Sequence, residues 1–227
     1  MKSAAKLLLV LCVFSFAISA QTVSKAPAKA QWQEPENHAV VVERLMRYHD
    51  SGEYGMEIRQ VANAARDYLE SRVKHASKDE KLAAVFDIDE TALSNWESMS
   101  ACGFCAYSVE KKLYPHDHDP AIVPVLELYN FVKKEGVAVF FVTGRHKAQE
   151  DTTVRNLQEA GYSGWTGLLM RPDDKNEPAR IFKPAARKQI EEKGYRIVLN
   201  IGDQASDLAG CCAERVFKLP NPFYLVN

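Results

Sequence analysis

The chain has 227 residues, 46% of them hydrophobic, with a formal net charge of -1 and a pI near 6.6. That length and apolar content suit one globular domain with a proper core. The near-neutral balance supplies no field to draw the chain to a nucleic-acid polymer or an anionic lipid surface, so neither is expected as a partner.

The first residues read as a targeting segment. Lys2 and Lys6 give a positive start, Leu7 to Phe16 is apolar, and Ala17-Ile18-Ser19-Ala20 offers small side chains for cleavage. This predicts a signal peptide over 1–20 and an exported protein, periplasmic or secreted. The apolar run is too short for stable membrane insertion, and Leu11 before Cys12 argues against a lipid anchor. Residues 21–36 are rich in Ala, Pro, Gln and Lys without periodicity and read as a flexible tether. Residues 37–227 are expected to form a single domain, with a helical N-terminal segment over 38–78 and a catalytic core over 82–224. In the helical segment Ile58, Val61, Ala62, Ala65, Tyr68 and Leu69 keep helical spacing with charge on the other face, which predicts one long helix to about Lys74 preceded by a shorter one.

From Leu82 onward apolar strands alternate with helices. Strands are expected at 82–86, 137–142, 168–170, 196–201 and 215–219, and helices at 121–134, 147–160 and 181–193. Gly136, Gly161 and Gly194 serve as stops. This alternation means βαβ units and a central, mostly parallel sheet covered on both faces, an α/β three-layer fold.

Three of these strands end in polar residues: Asp87 and Asp89 after Val85-Phe86, Thr143-Gly144-Arg145 after Phe141-Val142, and Gly202-Asp203 after Asn200-Ile201. Ligands of open parallel sheets bind at the carboxyl ends of strands, so the three endings converge on one crevice. Side chains two apart on extended backbone share a face, so Asp87 and Asp89 can address one centre, and two carboxylates that close call for a cation. The set suits phosphoryl transfer. A carboxylate attacks phosphorus, Mg2+ removes the repulsion between anions, Thr143 and backbone N–H groups bind phosphate, and Lys183 supplies positive charge.

Asp87-Ile88-Asp89-Glu90-Thr91, Val142-Thr143-Gly144-Arg145, Lys183 with Arg187, and Gly202-Asp203-Gln204-Ala205-Ser206-Asp207 resemble, in order and spacing, the four motifs of the haloacid dehalogenase (HAD) superfamily. The Lys218–Tyr224 ending adds a likeness to its secreted acid phosphatases and plant vegetative storage proteins. The resemblance implies a Rossmann-like HAD fold with a small cap-like insertion and a Mg2+-dependent acid phosphatase acting on small phosphomonoesters, 5'-nucleotides among them. It implies Asp87 as nucleophile and Asp89 as general acid and base, with phosphate held by Thr143, Gly144 and Lys183. It also implies metal ligation by Asp87, Asp89 through its carbonyl, and Asp203, with Asp207 behind them or on the metal itself and Arg187 behind them. Trp96 is expected near the substrate mouth, and the helical segment with the 94–120 insertion is expected to cover the site. A storage or binding protein on the same fold, and a phosphotransferase to an alcohol, are the rival functions; oligomeric state is left open.

Other signals carry less. An EF-hand reading of Asp87-x-Asp89-x-Thr91 fails because Ala92 and Ser98 stand where Gly and Glu are required. An even cysteine count in an oxidising compartment suggests disulfides. Adjacent Cys211 and Cys212 rarely bond to each other, which leaves either two bridges between the clusters or a Cys102–Cys105 bridge. His116-Asp117-His118-Asp119 reads as a solvated loop ahead of a helix.

Overall fold

A computed structural model describes residues 35–113, 116–174 and 177–226. The expected signal peptide and most of the tether lie outside these residues. Asn37–Asn227 forms a compact unit. It opens with helices α1 (His38–Asp50) and α2 (Glu53–Lys74), as their periodicity predicts, separated by Gly52 at φ 84°. Only glycine takes that left-handed turn without cost, which is why two helices form here instead of one.

Five strands follow: β1 (Lys81–Phe86), β2 (Ala138–His146), β3 (Gly167–Arg171), β4 (Tyr195–Gly202) and β5 (Arg215–Lys218). They form one sheet in the order β3-β2-β1-β4-β5, and every neighbouring pair is parallel. Between β1 and β2 lie α3 (Trp96–Ala101), α4 (Tyr107–Leu113) and α5 (Val123–Lys134). A short 3-10 turn leads into α6 (Glu150–Glu159), α7 (Ala179–Glu192) joins β3 to β4, and α8 (Ala205–Leu208) follows β4.

Alternation along the strands divides the core between two faces. Ala84, Phe86, Val139 and Phe141 point to the layer of α2 and α5, where Ile58, Ala62, Leu69, Leu128 and Val132 are buried. Ala83, Val85, Phe140 and Val142 point to α7 and meet Phe182, Ala186 and Ile190. A parallel sheet buried on both faces reads as continuous apolar runs, which is why these strands were visible without polar alternation.

Two boundaries differ from expectation in a way that bears on the site. α5 begins at Val123, because Ala121 pairs with Leu93 and Pro124 occupies the first turn, where its missing N–H costs nothing. β2 continues four residues past Val142, since its pairing with β3 resumes at His146–Arg171 after an irregularity beyond Thr143. Thr143-Gly144-Arg145 is therefore the bulged end of a strand, a place where bulges re-aim side chains.

Candidate active site

At the carboxyl edge of the sheet a cleft of about 240 Å³ is lined by Asp87, Asp89, Gly144, Lys183, Asp203 and Asp207, among others. The sequence assigned all six to one site from three strand ends and one helix. Thr143 and Arg187 are buried behind its wall.

Asp87 follows β1, and its carboxylate accepts from Lys183 Nζ at 2.5 Å. Lys183 rises from the first turns of α7 and also donates to Asp207 Oδ1 at 2.6 Å. Burial lifts the Asp87 carboxyl well above the usual carboxylate range; Lys183 opposes this, while Asp207, Asp203 and Asp89 add to it. Burial also works against the Lys183 charge, but Asp207 and Asp87 outweigh it and keep the ammonium protonated. Asp203 is pushed up to about 7, first by burial and then by Asp207.

Asp203 is aimed by its neighbours. It accepts from Thr91 Oγ1 at 3.2 Å, Gln204 Nε2 at 2.6 Å and Asn221 Nδ2 at 2.7 Å. Asn221 belongs to the Lys-Leu-Pro-Asn-Pro-Phe-Tyr ending, so that segment reaches the Asp203 carboxylate through an amide. Asp207 is held by Gln204 N–H at 2.7 Å, and a Cβ at Gly202 would lie 2.5 Å from it, so glycine is required there. Arg187 fixes the same loop by donating to Asp207 O at 2.6 Å, to Cys211 O at 3.1 Å and to Ala209 O.

Oxygen atoms of Asp87, Asp203 and Asp207 lie within 4.8 Å of one another, all buried. Three carboxylates against one ammonium leave excess negative charge in a low-dielectric site, and oxygen-only donors suit a hard divalent cation. The residues therefore fit such an ion: the Asp207 side chain stands in the cluster with Asp87 and Asp203, and the Asp89 carboxylate, expected to serve proton transfer and to lend only its carbonyl to a metal, stands outside it.

Asp89 instead faces Arg145. The guanidinium donates to it through Nη2 at 2.8 Å and Nε at 3.2 Å. Burial would raise the Asp89 carboxyl, but the charge and hydrogen bonds of Arg145 hold it well below the usual range. Asp87 and Asp89 thus line one cleft but have opposite partners, because β1 ends at Phe86 and Glu90 turns the chain at φ 51°.

Residues outside the expected site support it. Glu90 is fully buried and accepts from Tyr54 OH of α2 at 2.5 Å and from Asn95 N–H; burial pushes it up to about 7 against those bonds. His116 was expected in a solvated loop, yet it is buried. Its Nε2 lies 3.0 Å from Glu110 and its Nδ1 3.0 Å from Asp119, which also takes Arg145 Nη2 at 3.4 Å. Burial disfavours its charge, but those two carboxylates outweigh burial and lift it to about 9. Asn95 Nδ2 bridges His116 to Asp89, at 2.9 Å and 3.2 Å. Alternating His and Asp gave a surface pattern; the buried Glu110 that reverses it is a contact sequence does not display.

The cover also differs from expectation. Tyr107, Ser108 and Lys111 of α4 line the cleft, with Tyr224, whose ring stacks on Tyr107 at 4.4 Å. Trp96 does not line it; its ring stacks on His49 at 3.5 Å and packs against Phe223. Helices α1 and α2 give no lining residue and act from beneath, through Tyr54.

Cys102 and Cys105 are bonded, and so are Cys211 and Cys212. Neither bridge joins the two clusters. The adjacent pair forms because Cys212 takes φ 79°, a turned backbone that brings neighbouring Cβ atoms together.

Comparison with known proteins agrees with this architecture. The chain matches a family model described as HAD superfamily, subfamily IIIB (Acid phosphatase), over residues 14–227. It is 39% identical over 179 residues to Acid phosphatase 1 of Solanum lycopersicum, covering 76% of this chain and 69% of that protein. It is 33% identical over 147 residues to Vegetative storage protein 2 of Arabidopsis thaliana, covering 63% and 56%. The fold is shared with the class C acid phosphatase from Bacillus anthracis, with a TM-score of 0.66 at 21% identity over 82% of this chain and 86% of that one. A parallel sheet ending in these four motifs, matched along nearly all of its length, makes this chain a member of HAD subfamily IIIB, the acid phosphatases, a group of phosphoric monoester hydrolases.

Proposed function

We propose that the protein hydrolyses small phosphomonoesters through an aspartyl-phosphate on Asp87, with Mg2+ as the resident metal. The observation that carries the reading is the Asp87 carboxylate at the cleft floor, 2.5 Å from Lys183 and grouped with Asp203 and Asp207. An Asp87 oxygen attacks phosphorus, the ester oxygen departs with its electron pair and takes a proton, and a water then attacks the phosphoryl group to release phosphate and free Asp87. Lys183 and the donors around Gly144 offset charge on the transferred group. Mg2+, when bound by Asp87, Asp203, Asp207 and the Asp89 carbonyl, supplies Lewis-acid stabilisation of phosphate oxygens.

Asp89 serves the proton transfers. Held ionised by Arg145, it is prepared to take a proton from the attacking water. For the first half-reaction its carboxyl must loosen from Arg145 and take up a proton from solvent, which it gives to the leaving oxygen; it returns to the ionised form held by Arg145 before the water attacks. Storage relatives make a purely structural role the competing reading; the intact Asp87, Asp89, Lys183 and Asp203 favour turnover. The expected leader sequence and the two disulfides support an exported protein, since such bonds persist in oxidising compartments. No helix among the described residues is long and apolar enough to cross a membrane.

The test is a phosphate-release screen combined with acid quenching. Wild-type protein should carry one phosphoryl group on the peptide containing Asp87, removable by hydroxylamine, and Asp87→Asn should carry none and release no phosphate. Full activity in Asp87→Asn would sink the reading.

A further inference from the structure

The outer wall of the cleft carries positive charge that this chemistry does not use. Arg171 is the last residue of β3, and its side chain lines the cleft. Its Nη2 lies 3.3 Å from where a Cβ on Gly144 would stand, so the guanidinium lies close against that glycine. Arg145 and Arg187 are both committed to carboxylate or carbonyl oxygens. Arg171 differs: it has no hydrogen-bond or ion-pair partner among the described residues, and its buried Nε has no acceptor. A buried N–H left without an acceptor is costly, and a guanidinium fork matches a planar or tetrahedral oxyanion. Lys111 of α4 lines the same cleft, and its Nζ sits 5.1 Å from the centre of the Tyr107 ring, with no carboxylate in salt-bridge contact among the described residues.

The four inner carboxylates have their own counter-charges in Lys183, Arg145 and the metal they fit. Among the described residues Arg171 has none, and Lys111 has no carboxylate in salt-bridge contact, its charge reaching Asp89 only across a distance. Resting on the hydrolase reading above, we infer that Arg171, with Lys111, binds a second anionic group of the substrate, so the preferred phosphomonoesters carry a carboxylate or a second phosphate away from the scissile ester.

The experiment compares phenyl phosphate with its 2-, 3- and 4-carboxyphenyl analogues. At least one carboxylated isomer should exceed phenyl phosphate in kcat/KM by about tenfold, the scale of one charge-assisted hydrogen bond. Arg171→Gln should bring that ratio to within about twofold, and Arg171→Glu should turn selectivity toward 4-(aminomethyl)phenyl phosphate. Affinities for phenylphosphonate and the carboxyphenylphosphonates, measured by calorimetry, should follow the same order and lose it in Arg171→Gln. If binding shows the ratio and no ester is turned over, the hydrolase reading falls and the anion site stands. Turnover with no isomer preferred, or an equal loss on all esters in Arg171→Gln with the ratio kept, overturns the anion site and leaves the hydrolase reading in place.

Discussion

Lys183 Nζ lies 2.5 Å from an Asp87 oxygen and 2.6 Å from an Asp207 oxygen, so one ammonium holds two buried carboxylates from opposite sides of the cleft. Removing it leaves both uncompensated. Lys183→Met should lower phosphate release by at least about a hundredfold and cost about 3–5 kcal/mol of stability, measured by urea unfolding. Adding Asp207→Asn should recover part of that stability and none of the activity. Loss of activity with unchanged unfolding would show that Lys183 touches only the substrate.

The cluster of Asp87, Asp203 and Asp207 makes a separate prediction. EDTA should abolish turnover, and Mg2+ should restore it. Because an ion that binds only the folded state stabilises it by mass action, saturating Mg2+ should raise the melting temperature of the wild type. Asp203→Asn should lose most of that rise, and its activity should need a higher metal concentration. Equal thermal shifts in both proteins would remove Asp203 from the ligand set.

Arg145 keeps Asp89 ionised, and its removal should be visible in the pH profile. With the guanidinium gone, the Asp89 carboxyl rises, and because kcat/KM tracks the first half-reaction, in which Asp89 must carry a proton, the basic limb of kcat/KM should move to higher pH in Arg145→Gln. Arg145→Lys should shift the limb less. An unmoved basic limb would detach Arg145 from the proton transfers.

Far from the cleft, Glu214 fastens β5 to α2. It accepts from Arg72 Nε at 2.8 Å, Arg196 Nε at 2.7 Å and Tyr68 OH at 3.1 Å. The Arg72 hydrogen bond is the main cause of its carboxyl being lowered to about 2, with burial opposing and Arg196 and Tyr68 assisting. A depressed carboxylate stabilises the fold above its unfolded value, and that contribution is lost as pH falls through the folded one. Glu214→Gln should therefore cost about 1–2 kcal/mol at pH 7, after allowance for solvent screening. Its stability should then be flatter than wild type between about pH 5 and pH 2. Circular dichroism of acid unfolding gives the comparison, and parallel curves would refute it.

The sheet and the inner site were legible because both depend on local pattern. Apolar runs of strand length mark β1, β2 and β4, and a polar residue at the end of each marks the crevice. What escaped is what depends on distant partners. Asp89 reads as a proton-transfer carboxylate beside Asp87, and that Arg145, reaching over from β2, takes both its oxygens is a contact the sequence does not display. His116 reads as solvated until Glu110 buries it. Tyr54 has no place in the sequence reading of the site, and only the packed structure turns its hydroxyl toward Glu90. The paired Cys211 and Cys212 escaped for a different reason: a positive φ at a non-glycine residue has no residue-type signal.

The strand order β3-β2-β1-β4-β5 has an evolutionary consequence. Asp87, Asp89 and Asp203, the residues proposed to carry the reaction and its metal, sit at the ends of the central strands, each flanked by neighbours that punish change. Arg171 sits on the edge strand β3, with a sheet neighbour on one side only. Drift at that edge can retune which ester is accepted while the reactive centre stays untouched, so paralogues of this fold can diverge in diet without relearning how to cut.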